Sequence, residues 1–272
     1  MNSAFMTWMK NYLIIGYGWL GKALSLTIKG EGTKVFSTST DANKLQEMLS
    51  EGISPVPLMK TGKVISWQET PKIHFDAVVI TLPPFDGVLE SLQNLMQSIQ
   101  AERVIFTSST GVYLDESKTM VETAPVIKSH LVLQMEECIE SLVTCKYVIL
   151  RLAGHIGPNR HPVRFFLRNR SEIPNGQAPV NLIHQADIIG AITCLFEEPF
   201  PNKVYNVCWP EHPTKQLYYG NLALEMGAEK LSFLEGNHGK KIDGSKITRE
   251  TNFRYRHSIH EIKDLDLRKD NI

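Results

Sequence analysis

Residues 12–21 read YLIIGYGWLG, a short apolar strand that runs straight into Gly16-x-Gly18-x-x-Gly21. In a strand–turn–helix unit, three glycines at this spacing have separate tasks. The first permits the tight turn, the second lets the backbone come close to a pyrophosphate, and the third lets the next helix pack against the strand. Residues Trp19–Ile28 are predicted to be that helix, with Leu20, Leu24 and Ile28 on one face. Its N-terminus would meet the phosphates, so the sequence predicts a dinucleotide site at Gly16, Gly18, Trp19, Leu20 and Gly21. The bland alternative is a strand–loop–helix turn without a nucleotide.

Working outward, Lys34–Thr38 is predicted as a second strand, whose C-terminal end meets the adenosine ribose in such an arrangement. An acid there favours NAD, whereas small hydroxyl residues with a nearby cation admit the extra phosphate of NADP. Ser39 and Thr40 occupy the position, followed by Asp41 and Lys44. Asp41 has two readings, a ribose ligand or the N-cap of a helix over Ala42–Ser50. Lys44 is either a phosphate ligand or a solvated side chain. The cofactor expected is NAD(P), with NADP favoured. Phe75–Leu82 reads as a strand buried on both faces and ends at Pro83 and Pro84, which makes Thr81, Leu82 and Pro83 a cofactor wall or simply a rigid loop. Val88–Ile99 follows as a helix and Arg103–Thr107 as another buried strand. This strand–helix alternation predicts an α/β doubly wound parallel sheet.

Composition fits that picture. The 272 residues are 42% apolar and 21% charged, and 29 Lys plus Arg balance 29 Asp plus Glu. Such balance gives no reason to expect a nucleic-acid or membrane-surface partner, and a small-molecule substrate is the expectation. Cys138, Cys145, Cys194 and Cys208 form no CxxC pair and have no zinc-like spacing with histidine, so no metal site is expected. The opening residues 1–10 make a poor secretory signal and read as an N-terminal extension, and a cytoplasmic location is expected.

After the Arg103–Thr107 strand come Ser108, Ser109, Thr110, Gly111, Val112 and Tyr113. With the glycine motif, this stretch resembles the extended short-chain dehydrogenase/reductases, in particular their nucleoside-diphosphate-sugar epimerase and dehydratase branch. Arg151–Arg160 (RLAGHIGPNR) is similar to the family's RxxxxYGPxR loop, and Val180–Asp187 (VNLIHQAD) to its NxIHxxD segment. Val204–Cys208 looks like the strand that follows. The resemblance covers nearly the whole chain. It implies a Rossmann-type domain over 11–160, a smaller substrate lobe completed by 161–272, and an oxidoreductase or epimerase acting on a small or nucleotide-sugar-like molecule. It also implies a homodimer formed through the helices after the fourth and fifth strands.

The family's chemistry uses a Ser or Thr to orient a hydroxyl, a Tyr to move its proton, and a Lys four residues later to lower the pKa of that Tyr. The need for the cation is physical, because a phenol with a pKa near 10 is a poor base at neutral pH. Ser109 matches the catalytic serine. The YxxxK element is missing, and no other Tyr in the chain has a Lys four residues on. Anchoring on the helix glutamate puts Leu133 or Val132 at the lysine position and Ser129 or Lys128 at the tyrosine position.

Two residues are candidate substitutes. Tyr113 either transfers protons or packs structurally, and His130 either does acid–base work or is solvated in the first turn of a helix. His155, Asn159, Arg160 and Asn181 are the candidate substrate-binding residues. Arg164, Arg168 and Arg170 continue a basic run that reads equally as an anion grip or an exposed helix face. His184 and Asp187, three apart, are expected to share a helix face and to be structural. A cofactor-binding regulatory or sensor protein without turnover is the alternative function, favoured by the missing dyad as the enzyme is favoured by Ser109.

Overall fold

In the computed structural model, which describes residues 9–169, 172–197 and 203–261, the run before the glycines is strand β1 (Lys10–Ile15), buried from Tyr12 onward. Leu13, Ile14 and Ile15 point to alternate faces and are all fully buried, so both faces of the strand are covered and its residues need not alternate polar and apolar. The chain passes through the glycine loop into α1 (Trp19–Ile28), then β2 (Thr33–Ser39), α2 (Ala42–Ser50) and β3 (Ser54–Thr61). β2 runs parallel to β1, with Ile14 opposite Ser37, and β3 runs parallel to β2. Gly62, at φ 61°, turns the chain into the antiparallel β4 (Val64–Trp67).

The path then returns to the other side of β1 as β5 (Ala77–Ile80), which pairs in parallel with it. α3 (Val88–Met96), β6 (Arg103–Ser109), α4 (Leu131–Leu142) and β7 (Lys146–Leu152) follow. These are seven of the eight strands of one sheet, in the order β7-β6-β5-β1-β2-β3-β4. The eighth is Lys203–Val207. The order reverses between β1 and β5, and the crevice at the carboxyl ends of those two strands is where open α/β sheets bind ligands. Gly16 and Thr81 stand there, so the expected doubly wound fold is the one observed.

The chain divides into two units that interleave along the sequence. The first holds Met1–Ser108, Lys128–Leu150 and Leu195–Lys203, and the second Ser109–Ile127, Arg151–Cys194 and Val204–Ile272. A division at residue 160 is therefore too simple, because the chain enters the second unit already at Ser109 and leaves it again at Lys128. The expected extension, 1–10, is also too long at its far end. Lys10 begins β1 and its ammonium lies 2.7 Å from Glu197, while residues 1–8 and Arg170 fall outside the described residues.

The second unit contains α5 (Val163–Asn169), α6 (Gln185–Glu197, which runs on into the first unit) and α7 (Lys215–Glu225). Gly154–Ile156 pairs in parallel with Leu182–His184, and Thr119–Met120 with Lys241–Ile242. Ile156, Val163, Leu182, Tyr218 and Leu222 belong to its core. At its edge the buried His161 accepts the Val163 N–H at Nδ1, and its Nε2 lies 3.0 Å from the Tyr218 hydroxyl, which donates to the Ile259 carbonyl. His184 and Asp187 do not share a helix face. His184 ends a strand, and its Nδ1 accepts the Ala186 N–H as α6 begins.

Candidate functional site

Two of the three glycines are enforced by the chain's own atoms, and the third is not. Gly16 sits at φ 110°, where a side chain is strained, and a Cβ there would lie 3.0 Å from Thr81 Oγ1. A Cβ on Gly21 would lie 1.9 Å from the Gly16 carbonyl oxygen, so α1 can pack on this loop only with glycine at that position. Gly18 has nothing within 4 Å of its Cβ position. It also begins α1 without a side-chain cap. An open approach to the positive end of a helix dipole is the geometry that receives a phosphate.

Two threonines hold the loop. Thr38, buried in β2, accepts the Gly16 N–H at Oγ1 (2.9 Å), while its carbonyl accepts the Tyr17 N–H (3.1 Å). Thr81 donates its hydroxyl to the Gly16 carbonyl at 2.8 Å. Thr81 is thus tied to the loop beneath the expected wall, with Leu82 half-exposed and Pro83 exposed beyond it. Sequence reasoning passed over Thr38 as an ordinary strand residue. The available signal was a hydroxyl at the buried end of a strand whose neighbours on the sheet are apolar.

At the end of β2, Asp41 accepts the Asn43 N–H at 2.8 Å and caps α2, and Ser39 Oγ accepts the Asp41 N–H at 3.0 Å. The carboxylate is engaged at the helix end, leaving Ser39, exposed Thr40 and exposed Lys44 along this rim. Trp19 is half-buried and Leu20 buried at the start of α1. His130 lies one residue before the first turn of α4, where its Nδ1 accepts the Val132 N–H at 3.2 Å. Val132 and Leu133, the lysine-position residues, are both buried. Of the helix glutamates, Glu136 is buried and accepts a short hydrogen bond from Ser108.

In the second unit, Ser109 opens a single 3₁₀ turn over Thr110–Val112 and its Oγ accepts the Gly111 N–H at 3.0 Å. Acceptance leaves the hydroxyl proton available to a substrate oxygen. Tyr113 is 0% exposed. Its hydroxyl donates to Asn206 Oδ1 (2.7 Å) and accepts from Arg151 (3.0 Å). Burial pushes the phenol pKa up, against the opposing pull of Arg151. Asn206 in turn donates to the Met120 and Asp243 carbonyls and its N–H reaches Glu122. These bonds hold the Tyr113 side chain inside a buried hydrogen-bonded network.

The expected substrate residues serve varied ends. Asn181 donates to the Lys240 carbonyl and accepts the Ile242 N–H, both at 2.8 Å, and so fixes the strand Lys241–Ile242. Asn159 is at φ 58° in the turn Gly157–Arg160, whose end residues exchange hydrogen bonds of 3.0 Å. Proline followed by asparagine suits such a turn. Half-buried His155 has its pKa pushed down to about 4, by burial first and the charge of Arg160 second, so it is neutral at pH 7. Buried Asp187 accepts the Arg256 and His257 N–H groups and the His257 ring at 2.8 Å, pinning the segment around them. Arg164 and Arg168 lie on α5.

Among the described residues, no cluster of three or more His, Cys, Asp or Glu is placed to hold a metal, and no helix is long and apolar enough to cross a membrane. No protein-family model matches the chain. The fold is similar to that of a conserved protein of unknown function from Silicibacter pomeroyi, with TM-score 0.75 and 21% identity over 91% of this chain and 94% of that one. It is similar also to UDP-glucuronic acid 4-epimerase from Bacillus cereus, solved with UDP-glucuronic acid and NAD, at TM-score 0.71 and 16% identity over 91% and 95%. Those likenesses establish a Rossmann-type fold. In sequence the chain is 37% identical to protein YeeZ of Escherichia coli K12 over 267 residues, which cover 92% of this chain and 97% of that protein. On that similarity, the chain belongs to the family of protein YeeZ.

Proposed function

We propose that this protein binds a nicotinamide dinucleotide at Gly16, Gly18 and Gly21 and acts as an oxidoreductase or epimerase-like protein on a small, nucleotide-sugar-like molecule. The observation that carries the reading is the contrast among the glycines. Two are enforced by the chain's own atoms, whereas the Gly18 Cβ position is open and lies at the N-terminus of α1, where a phosphate could approach. Trp19 and Leu20 begin the helix over which the phosphates would lie, with Thr81, Leu82 and Pro83 across the crevice. When bound, the nicotinamide supplies hydride transfer. UDP-sugar epimerases of the same fold carry NAD, which supports the reading.

At the ribose end the proposal is NADP over NAD, since Asp41 caps α2 through one carboxylate oxygen and the small hydroxyl residues Ser39 and Thr40 stand at the strand end with exposed Lys44 nearby in the chain. For turnover, Ser109 supplies a hydroxyl to orient a substrate oxygen. The second reading, a cofactor-bound regulatory protein, is favoured by a specific observation. The lysine position of the dyad holds buried aliphatic residues and Tyr113 is sealed inside the second unit. Ser109→Ala, assayed with a screened panel of nucleotide sugars, separates the two readings.

Calorimetric titration of NAD and NADP tests the core of the proposal. Gly18→Val is expected to lower affinity at least about 100-fold while the fold is kept and the thermal midpoint falls by only a few degrees, because its Cβ would meet no protein atom within 4 Å and only the N-cap preference for glycine is lost. Unchanged affinity in that variant removes the dinucleotide from this loop.

A further inference from the structure

Asparagine followed directly by glycine occurs once in this chain, at Asn175–Gly176. The pair is chemically distinctive, because glycine has no side chain to hinder its own backbone nitrogen from attacking the neighbouring side-chain amide. In the second unit the pair lies in a turn, closed by the Ala178 N–H on the Asn175 carbonyl at 2.9 Å, that is held against a second segment. Ile173 donates its N–H to the Ser232 carbonyl and accepts the Leu234 N–H, while Gly176 donates to the Leu234 carbonyl and Gln177 to the Gly236 carbonyl, all at 2.9 Å. Asn175 stands at φ 55°, a left-handed conformation that asparagine tolerates better than most residues. A Cβ on Gly236 would lie 2.4 Å from Asn175 Oδ1, so only glycine leaves the amide room.

The N–H that Gly176 must lose before it can attack is the one bonded to Leu234, and Gly176 is itself buried. The reactive nitrogen is withheld for as long as the two segments stay paired. Residues 232–236 lie between α7 and the strand Lys241–Ile242, and all but Phe233 are exposed. Exposed hydrogen bonds with little buried surface behind them are the features of a segment that opens locally without global unfolding.

We propose that Asn175–Gly176 is a deamidation site that the fold keeps closed and that becomes reactive when residues 232–236 lift away. Once released, the Gly176 nitrogen gives up its proton and bonds to Asn175 Cγ, ammonia leaves, and a cyclic imide remains. Water then opens the ring at either carbonyl, giving aspartate, or isoaspartate with the main chain rerouted through the side chain. The consequence falls on α7. Its first N–H groups have no acceptor within the helix, and the turn supplies two: the Lys215 N–H donates to the Ala178 carbonyl (3.0 Å) and the Gln216 N–H to the Gly176 carbonyl (2.9 Å). Isoaspartate adds a main-chain carbon before Gly176 and so carries that carbonyl out of register with α7. A brief opening is thereby recorded as a permanent change at the helix start.

Peptide mapping by mass spectrometry tests the proposal on the full chain incubated at neutral pH, beside a synthetic peptide of residues 172–179 and the same chain unfolded in urea. The folded protein is expected to convert Asn175 at least about tenfold more slowly than the peptide, as for a site reached only through local opening, and the unfolded chain to match the peptide. Gly236→Ala sets a methyl against Asn175 Oδ1 and leaves the reacting pair unchanged. It should speed conversion in the folded protein several-fold while circular dichroism stays that of wild type. Hydrogen exchange at the Lys215 and Gln216 amides should be faster in protein aged to conversion than in fresh protein. Folded protein that deamidates as fast as the peptide removes the gate, as does a Gly236→Ala rate equal to wild type. An unfolded chain that keeps Asn175 intact removes the site itself, and unaltered exchange in aged protein removes the consequence for α7.

Discussion

In the glycine loop after β1, the atoms that matter are mostly backbone atoms: a carbonyl 1.9 Å from where a Gly21 Cβ would stand, a left-handed Gly16, and the Gly16 N–H and carbonyl that two threonine hydroxyls hold in place. In the turn after β6, they are side-chain atoms, and most are already engaged. The Tyr113 hydroxyl is shared between Asn206 and Arg151, and Ser109 Oγ receives an N–H from its own turn. A backbone-built site tolerates almost no choice of residue, so its motif and its geometry stand or fall together. A side-chain site can keep its sequence neighbourhood while the reactive groups are replaced or turned inward. For this chain the first region is shaped by atoms that a substitution would disturb, while in the second the Tyr113 hydroxyl is taken up by buried partners and Ser109 Oγ holds its own turn.

The most forceful way to break the comparison is Gly21→Ala. The new methyl would overlap the Gly16 carbonyl, so either α1 or the loop must move. Overpacking of this severity is expected to cost about 3 kcal/mol, seen as a lower urea midpoint, together with loss of dinucleotide binding. Wild-type stability would mean that the loop is soft and that its glycines need another explanation.

Acid tests the second unit. His161 is buried with its pKa pushed down to about 4, by burial first and by Arg164 second. Its Nδ1 is an acceptor for the Val163 N–H, a role a protonated ring cannot fill. The folded pKa lies below the unfolded value of 6.5, so between these values the unfolded chain binds the proton and the folded one resists it. This contribution is therefore complete above pH 6.5 and falls away as pH drops toward 4, by up to about 3 kcal/mol. His161→Gln should be less stable at neutral pH but lose less over the same interval. Parallel pH profiles for the two proteins would remove His161 as the cause.

Tyr113→Phe sharpens the contrast within the Ser109–Tyr113 turn. It deletes a buried hydroxyl and leaves Asn206 Oδ1 and an Arg151 N–H short of a partner, at an expected cost of about 2 kcal/mol. Cofactor affinity should not change. If instead turnover vanishes while the denaturation midpoint is unmoved, Tyr113 does chemistry and the packing account fails.

Elements governed by apolar runs and punctuating glycines were legible from sequence: α1 and α2 lie where periodicity places them, and β1, β2, β5 and β6 within a few residues. The β3–β4 hairpin was not read, because Pro55 and Pro57 argue against a strand. They are accommodated because antiparallel pairing with β4 begins at Leu58, beyond both of them. The interleaving of units was also hidden, since no local pattern marks the chain's crossings at Ser109, Lys128 and Arg151. At the candidate site, the glycines carried their own meaning, while roles set by distant partners did not. Tyr113 meets Asn206 across 93 positions and Asn181 meets Ile242 across 61, separations that no spacing rule anticipates.

Asp41 is where the two kinds of region meet, because a single carboxylate had both a backbone role and a ligand role open to it. The structure gives it the backbone role, with the Asn43 N–H at 2.8 Å. Asp41→Ala should therefore cost about 1 kcal/mol, the usual worth of an N-cap. Asp41→Asn should cost much less, because asparagine caps as well as aspartate and differs only in charge. Neither change should weaken NAD binding if the carboxylate faces the helix alone. The asparagine variant is the decisive one, since it holds the fold constant while removing the charge a ribose contact would use. NAD affinity that falls about tenfold in Asp41→Asn, with an unchanged melt, would return the carboxylate to the ribose and shift the cofactor preference toward NAD. Equal NAD affinity in all three proteins would confine Asp41 to the cap and leave Ser39, Thr40 and Lys44 to discriminate between the cofactors.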